Sequence, residues 1–330
     1  MNRSRSIRCL VLTALLPVLG ASSALAVRRT EDPLALVPAG AATVAVIHWS
    51  ELRNSPLGPK VFSAMDELST DGDAARFLEE TELTPSEDID TVVVAMTPGA
   101  KSGDSDEGLV VFEGRFDVDR IARAMTARGA TRLAGAGGDF YYRLANKGGG
   151  SDGAVALVNR TLILAGSEAA VEAALARKES GGAGGLTSGQ GLGRNLKRVD
   201  MNASAWALVD LARLPSGHRE DSEGSGEPSH ALMGAMKSVT LLAVQASVHG
   251  DSVDLSATGL TNDAENRDLL EDSLRGMLAM WRLAVQEKSP ELVSVLRRFQ
   301  IDNDSEGVSI RGTLPGNFLR SLSNARQARR

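Results

Sequence analysis

Leu109-Val110-Val111-Phe112-Glu113-Gly114 is followed by Arg115-Phe116-Asp117 and a run of helical spacing from Asp117 to Arg128. The unit is a strand, a glycine and a capped helix, and it recurs around Gly166, Gly259 and Gly312. Val253, Leu255 and Ala257 alternate with Asp254, Ser256 and Thr258, and Val308 and Ile310 alternate with Ser309 and Arg311. That period of two predicts half-buried strands of an antiparallel sheet. Glycine at such a strand end suits a sharp corner or a close backbone approach. Asp117 and Ser167 follow as helix caps, Asn262 pairs with Glu265 as a capping box, and Pro315 opens a first helical turn.

The four glycines fall at intervals of 52 residues (Gly114 to Gly166) and 53 residues (Gly259 to Gly312). Near-equal intervals predict a duplicated chain. Val44-Ala45-Val46-Ile47-His48-Trp49 before Leu52-Arg53, and Ala205-Trp206-Ala207-Leu208-Val209-Asp210 before Leu211-Ala212-Arg213, open the two halves alike. The expected fold is α+β: two tandem similar halves, each an antiparallel sheet with helices packed on one face. Residues 27–178 form the first half, 179–199 a mobile Gly-rich linker, 200–326 the second half, and 327–330 a frayed tail. The loop 216–229 is polar and expected to be mobile. The longest helix is expected from Asp263 to Gln286, with Leu270, Leu274, Met277, Leu278, Trp281 and Val285 as its buried stripe.

Residues 1–26 read as a secretory signal. Arg3, Arg5 and Arg8 precede a short apolar run from Cys9 to Leu19, and Ala24-Leu25-Ala26 is a small-x-small cleavage site. The run is shorter than the roughly 20 residues of a membrane span. Cleavage after Ala26 would place the mature chain in the periplasm or outside the cell and remove Cys9, the one cysteine. A mature chain without cysteine has no disulfide, no thiolate nucleophile and no cysteine metal site. Without the signal's three arginines, 33 basic residues face 42 acidic ones, a net charge of −9. Acidic balance with no basic cluster argues against a nucleic-acid partner. No later stretch is apolar for the 18 residues that suggest a spanning helix.

No stretch carries a catalytic, cofactor or metal motif, and no residue is assigned to such a site. Asp302-Asn303-Asp304-Ser305-Glu306-Gly307 opens like a calcium loop, but position twelve is Thr313 and strands flank it, so it reads as a hairpin turn. Gly189-Gln190-Gly191-Leu192-Gly193 lacks the spacing and preceding strand of a nucleotide loop. His48, His218, His230 and His249 form no metal-ligand spacing. His48 reads as a polar strand end. The carboxylates Glu79, Glu80, Glu87, Asp88 and Asp90 read as a solvated helix end and loop. Trp49, Trp206 and Trp281 read as core.

The start Leu36-Val37-Pro38-Ala39-Gly40-Ala41-Ala42-Thr43-Val44-Ala45-Val46, continued by Ser50-Glu51-Leu52-Arg53-Asn54-Ser55-Pro56-Leu57-Gly58, resembles a class of exported bacterial proteins of unknown function. Gly114-Arg115-Phe116 and Gly259-Leu260 carry the same resemblance, which covers most of 34–326. It implies an α+β exported domain and brings no active site with it; the Gly-rich linker and the 216–229 loop depart from its pattern. The reading is a non-catalytic binding or scaffolding protein of the cell envelope, holding an apolar ligand or a protein partner, with no cofactor. The alternative is an envelope hydrolase with a dispersed carboxylate or histidine site.

Overall fold

The computed structural model describes residues 32–58, 73–99, 105–145, 152–214, 237–286, 290–305 and 307–318. The signal segment with its cleavage site, the 216–229 loop with His218, the following His230, and the 327–330 tail lie outside the described residues. By its internal contacts the chain divides into two compact units, Met1–Arg194 and Asn195–Arg330.

The first unit opens with a short helix, α1 (Pro33–Leu36), capped by Asp32, whose carboxylate accepts from the Leu34 amide at 3.0 Å. Its strands are β1 (Thr43–His48), β2 (Ile89–Thr97), β3 (Glu107–Gly114), β4 (Thr131–Ala134), β5 (Phe140–Leu144), β6 (Gly153–Asn159) and β7 (Leu162–Ser167). They lie in the order β1-β2-β3-β7-β6-β5-β4, and each neighbouring pair is antiparallel. Helices α2 (Trp49–Arg53), α3 (Asp73–Thr81), α4 (Pro85–Asp88) and α5 (Val118–Ala127) lie between them in the chain, and α6 (Glu168–Glu179) follows β7.

Helix α5 starts where the Asp117 carboxylate accepts from the Arg120 amide at 3.0 Å, and it buries Ile121, Ala124 and Met125 at helical spacing. Helix α6 is capped by Ser167, and Glu168 at its start and Arg177 and Lys178 at its end suit its dipole. These two helices sit on opposite faces of the sheet. Ile121 and Met125 pack with Tyr142, Val92, Val110 and Ile163. The next residue back, Tyr141, points the other way and bonds to α6 through its hydroxyl. Val92 and Val93 are both buried, as are Val110 and Val111, so both faces are covered. The expected one-sided covering is corrected here: continuous burial along β2 and β3 calls for helices on each side.

Within the 179–199 linker, the stretch Gly181–Gly193 is expected to have few backbone partners; its hydrogen bonds differ from that expectation. The Ala39 amide donates to the Gly184 carbonyl at 2.9 Å, Leu186 to Val37 at 2.8 Å, and Leu192 to Ala39 at 3.3 Å. Leu186 is 0 % exposed and Leu192 1 %. Short 3-10 turns at Leu186–Ser188 and Gly191–Arg198 complete the segment.

The second unit holds β8 (Ala205–Asp210), β9 (Val239–His249), β10 (Ser252–Thr261), β11 (Gln300–Asp304) and β12 (Gly307–Leu314), in the order β11-β12-β10-β9-β8 and antiparallel. The β9–β10 turn is Gly250-Asp251, with Gly250 at φ +59°, a conformation glycine takes freely. Between β10 and β11 run α7 (Ala264–Gln286) and α8 (Pro290–Leu296). Leu270 and Leu278 of α7 are buried with Val239, Ile301 and Val308. Asn303 donates to Asp268 at 3.0 Å and to Glu271 at 2.7 Å, and Arg282 donates to the Leu296 carbonyl at 2.9 Å, tying α7 to the β11–β12 hairpin and to α8.

In both units three successive strands lie side by side, and a later hairpin returns with its second strand next to the third. Gly166 stands opposite Leu109, and Gly312 opposite Leu255, each leucine four or five residues before the earlier glycine of its pair. None of the four glycines has positive φ. Gly114 ends its strand and Gly166 is the next-to-last residue of its own, whereas Gly259 and Gly312 lie two residues inside theirs.

Candidate functional site

The residues singled out in the sequence have separate structural roles. Asp302, Asn303 and Asp304 end β11 and Gly307 opens β12, and the Asp304 carboxylate accepts from the Gly307 amide at 3.1 Å. Among the described residues no group of three or more His, Cys, Asp or Glu is arranged to hold a metal ion. Glu80 pairs with Arg128 at 2.9 Å and Asp90 with Arg53 at 3.3 Å. Asp88 accepts from the Thr84 amide at 2.8 Å, and burial raises its pKa. His48 is the N-terminal flank of α2, and His249 meets Asp254 at 3.1 Å. Trp49 and Trp206 are core, as expected. Trp281 is not: it is 52 % exposed.

A constellation that no linear motif marks lies in the first unit. Tyr141 and Arg143 alternate onto one face of β5, and Glu168 and Glu172 stand one turn apart on α6. The Tyr141 hydroxyl lies 2.6 Å from Glu172 and 2.8 Å from Glu168, and Arg143 reaches Glu168 at 2.5 Å. An open cavity of about 490 Å³ borders this group, lined also by Asp106, Glu107 and Asp152. A phenol has one proton, so Tyr141 donates to one carboxylate at a time. Its hydrogen bonds to Glu172 and Glu168, together with burial, push its pKa above the ordinary value. The Arg143 hydrogen bond holds Glu168 below the ordinary carboxylate range.

These directions decide what the group can do. Glu168 is ionised at neutral pH and cannot act as a general acid there. Tyr141 keeps its proton and cannot act as a base. The arrangement fixes α6 to β5 and presents an electronegative surface to the cavity.

The depressed Glu168 value also sets a pH dependence. Its contribution to stability is present above the ordinary glutamate pKa of about 4.3 and is lost as pH falls through the lower folded value. Glu168→Gln is expected to lower the urea midpoint at pH 7, with the difference from wild type shrinking toward pH 3. An equal difference at both pH values would contradict this assignment.

The second unit offers a different surface. Leu283 of α7 is 71 % exposed, Trp281 52 %, Leu269 49 % and Met280 43 %. Only Leu270 and Leu278 of the expected stripe are buried. Among the described residues no helix is long and apolar enough to cross a membrane.

No protein-family model matches this sequence, and no curated protein does. Solved structures are similar. Crystal form III of TP0453 aligns at TM-score 0.52 and 10 % identity, covering 90 % of this chain and 100 % of that one. The likeness is one of fold. Crystal forms IV and I of TP0453 give 0.46 and 0.44 at 9 % and 10 % identity, covering 89 % and 90 % of this chain and 96 % and 99 % of theirs. An α+β chain with antiparallel strands and several helices is thus an arrangement already seen in form III.

Proposed function

We propose that this is an exported, non-catalytic binding or scaffolding protein of the bacterial cell envelope, holding an apolar ligand or a protein partner on the solvent-facing side of α7. One observation carries the reading. Three large apolar side chains on one face of α7, Leu269, Met280 and Leu283, lie open to solvent, and Trp281 is exposed where the core-facing stripe runs out. Single exposed apolar residues are ordinary, but a cluster on one element marks a surface that something covers.

Export rests on the signal-like residues 1–26, and the start at 36–46 resembles that of exported proteins. The two units are read as diverged copies, supported by their shared strand succession and by the Gly166–Leu109 and Gly312–Leu255 pairings. Expression of the full chain in a bacterium, with fractionation, terminal sequencing and mass spectrometry of co-purifying species, tests the proposal. The expected product is a periplasmic or secreted chain beginning at Val27 that carries a lipid, peptide or protein. A cytosolic chain with Met1 intact would rule out export.

A further inference from the structure

We propose that α7 presents a second, solvent-facing seam that receives a cationic amphipathic helix from a protein partner; this rests on the binding reading above and names the partner's chemistry. Glu265, Leu269, Asp272, Gly276, Ala279 and Leu283 follow one another at alternating spacings of four and three residues, and all six are exposed. That spacing keeps one stripe of a helix facing a second helix along its length. It is distinct from the core-facing stripe, in which Leu270 and Leu278 are buried. The seam is about 27 Å long at 1.5 Å per residue, enough for several turns of a partner. A Cβ built on Gly276 meets no atom within 4 Å, so nothing packs over the middle of the seam. Gly276 and Ala279 there allow a close helix approach.

Charge selects the occupant. The first half of the seam carries Glu265 and Asp272, with exposed Asp268 beside them. The nearby guanidinium of Arg275 is engaged by Glu271 at 2.6 Å. The second half is Ala279, Met280 and Leu283. A partner helix with Lys or Arg over the first half and apolar residues over the second complements both. An anionic lipid surface would be repelled by the same acids.

The test is fluorescence anisotropy of the full mature chain with two synthetic helical peptides of about 20 residues. They share a Leu/Ala seam and differ only in carrying Lys or Glu beside it. The Lys peptide is expected to bind about tenfold more tightly at low salt, and the preference to collapse in the double variant Glu265→Gln/Asp272→Asn. Leu283→Asp is expected to weaken the Lys peptide by about tenfold or more. Leu283 is so exposed that this variant should keep the wild-type melting curve, which is measured alongside. Equal affinity for the two peptides, or binding unchanged by Leu283→Asp, overturns the proposal. So does Leu283-dependent sedimentation with phosphatidylcholine or phosphatidylglycerol vesicles, which would assign the seam to a lipid surface. Leu283-dependent dimers would assign it to a second copy and overturn it equally. A co-purifying apolar species whose retention needs Leu283, with neither peptide bound, would leave the binding reading standing and remove the helical partner.

Discussion

Gly114→Ala is expected to destabilise the protein by about 3 kcal/mol, and Gly166→Ala by nearly as much. A Cβ at Gly114 would lie 1.9 Å from the Asp88 carbonyl oxygen, and one at Gly166 would lie 2.1 Å from that of Gly108. At Gly166 the obstacle is backbone of the neighbouring strand β3, and at Gly114 it is the last residue of α4 where the chain enters β2; each lies one residue before the cross-strand partner, Leu109 or Ile89. Backbone held in a ladder cannot turn aside as a side chain can, so the sheet itself must shift. Positive φ plays no part, since neither glycine adopts it. Gly312 is restricted differently, because its Cβ would sit 2.6 Å from the Phe299 ring. That ring can move at a cost of roughly 1–3 kcal/mol. At Gly259 the nearest atoms are Val239 Cγ1 at 3.3 Å and Leu270 Cδ2 at 3.4 Å, so Ala there should be tolerated best. A suitable control is Gly276→Ala in α7, where a methyl meets nothing and helix propensity favours Ala by about 1 kcal/mol. Gly184 would not serve, because its φ of +73° strains any side chain. Urea unfolding of these variants checks the ranking; Gly114→Ala as stable as wild type would contradict it.

Leu186→Ala and Leu192→Ala are each expected to cost about 2–5 kcal/mol, the range for a fully buried leucine. Both side chains are essentially inaccessible, and the backbone around them bonds to Val37 and Ala39. A mobile linker would give changes within about 0.5 kcal/mol, as exposed positions do. Thermal or urea midpoints distinguish the two outcomes directly, and near-neutral variants would return this stretch to the status of a connector.

The elements with strong periodicity were legible before the fold was seen. The strands on either side of Gly250-Asp251, the helix after Asp117 and the long helix α7 all lie where alternation or helical spacing puts them. Strand β4 was not legible: Thr131-Arg132-Leu133-Ala134 has one large apolar residue in four, and β4 ends the strand order, with a single partner, β5. The 179–199 segment was misread because its glycines look like flexibility in composition. Three of them are there for close approach: a Cβ on Gly185, Gly191 or Gly193 would come within 2.1 Å of a carbonyl oxygen of Ala35, Ala39 or Leu186. Which backbone lies against a glycine is not written in the residues beside it. Trp281 failed for a related reason. Helical spacing says which residues share a face, not how far along the helix another surface continues to cover it. The Tyr141–Arg143–Glu168–Glu172 group has a signal only in halves, 141 with 143 on a strand and 168 with 172 on a helix, and the fold supplies their meeting.

The most direct measurement of the central claim compares what co-purifies with the wild-type chain and with Leu283→Asp, by native mass spectrometry of protein taken from the bacterial envelope fraction. The account predicts a bound species on the wild-type protein that is lost from Leu283→Asp while Glu168→Gln retains it. A species held equally by wild type and Leu283→Asp, or one released only by Glu168→Gln, would contradict the assignment of binding to α7.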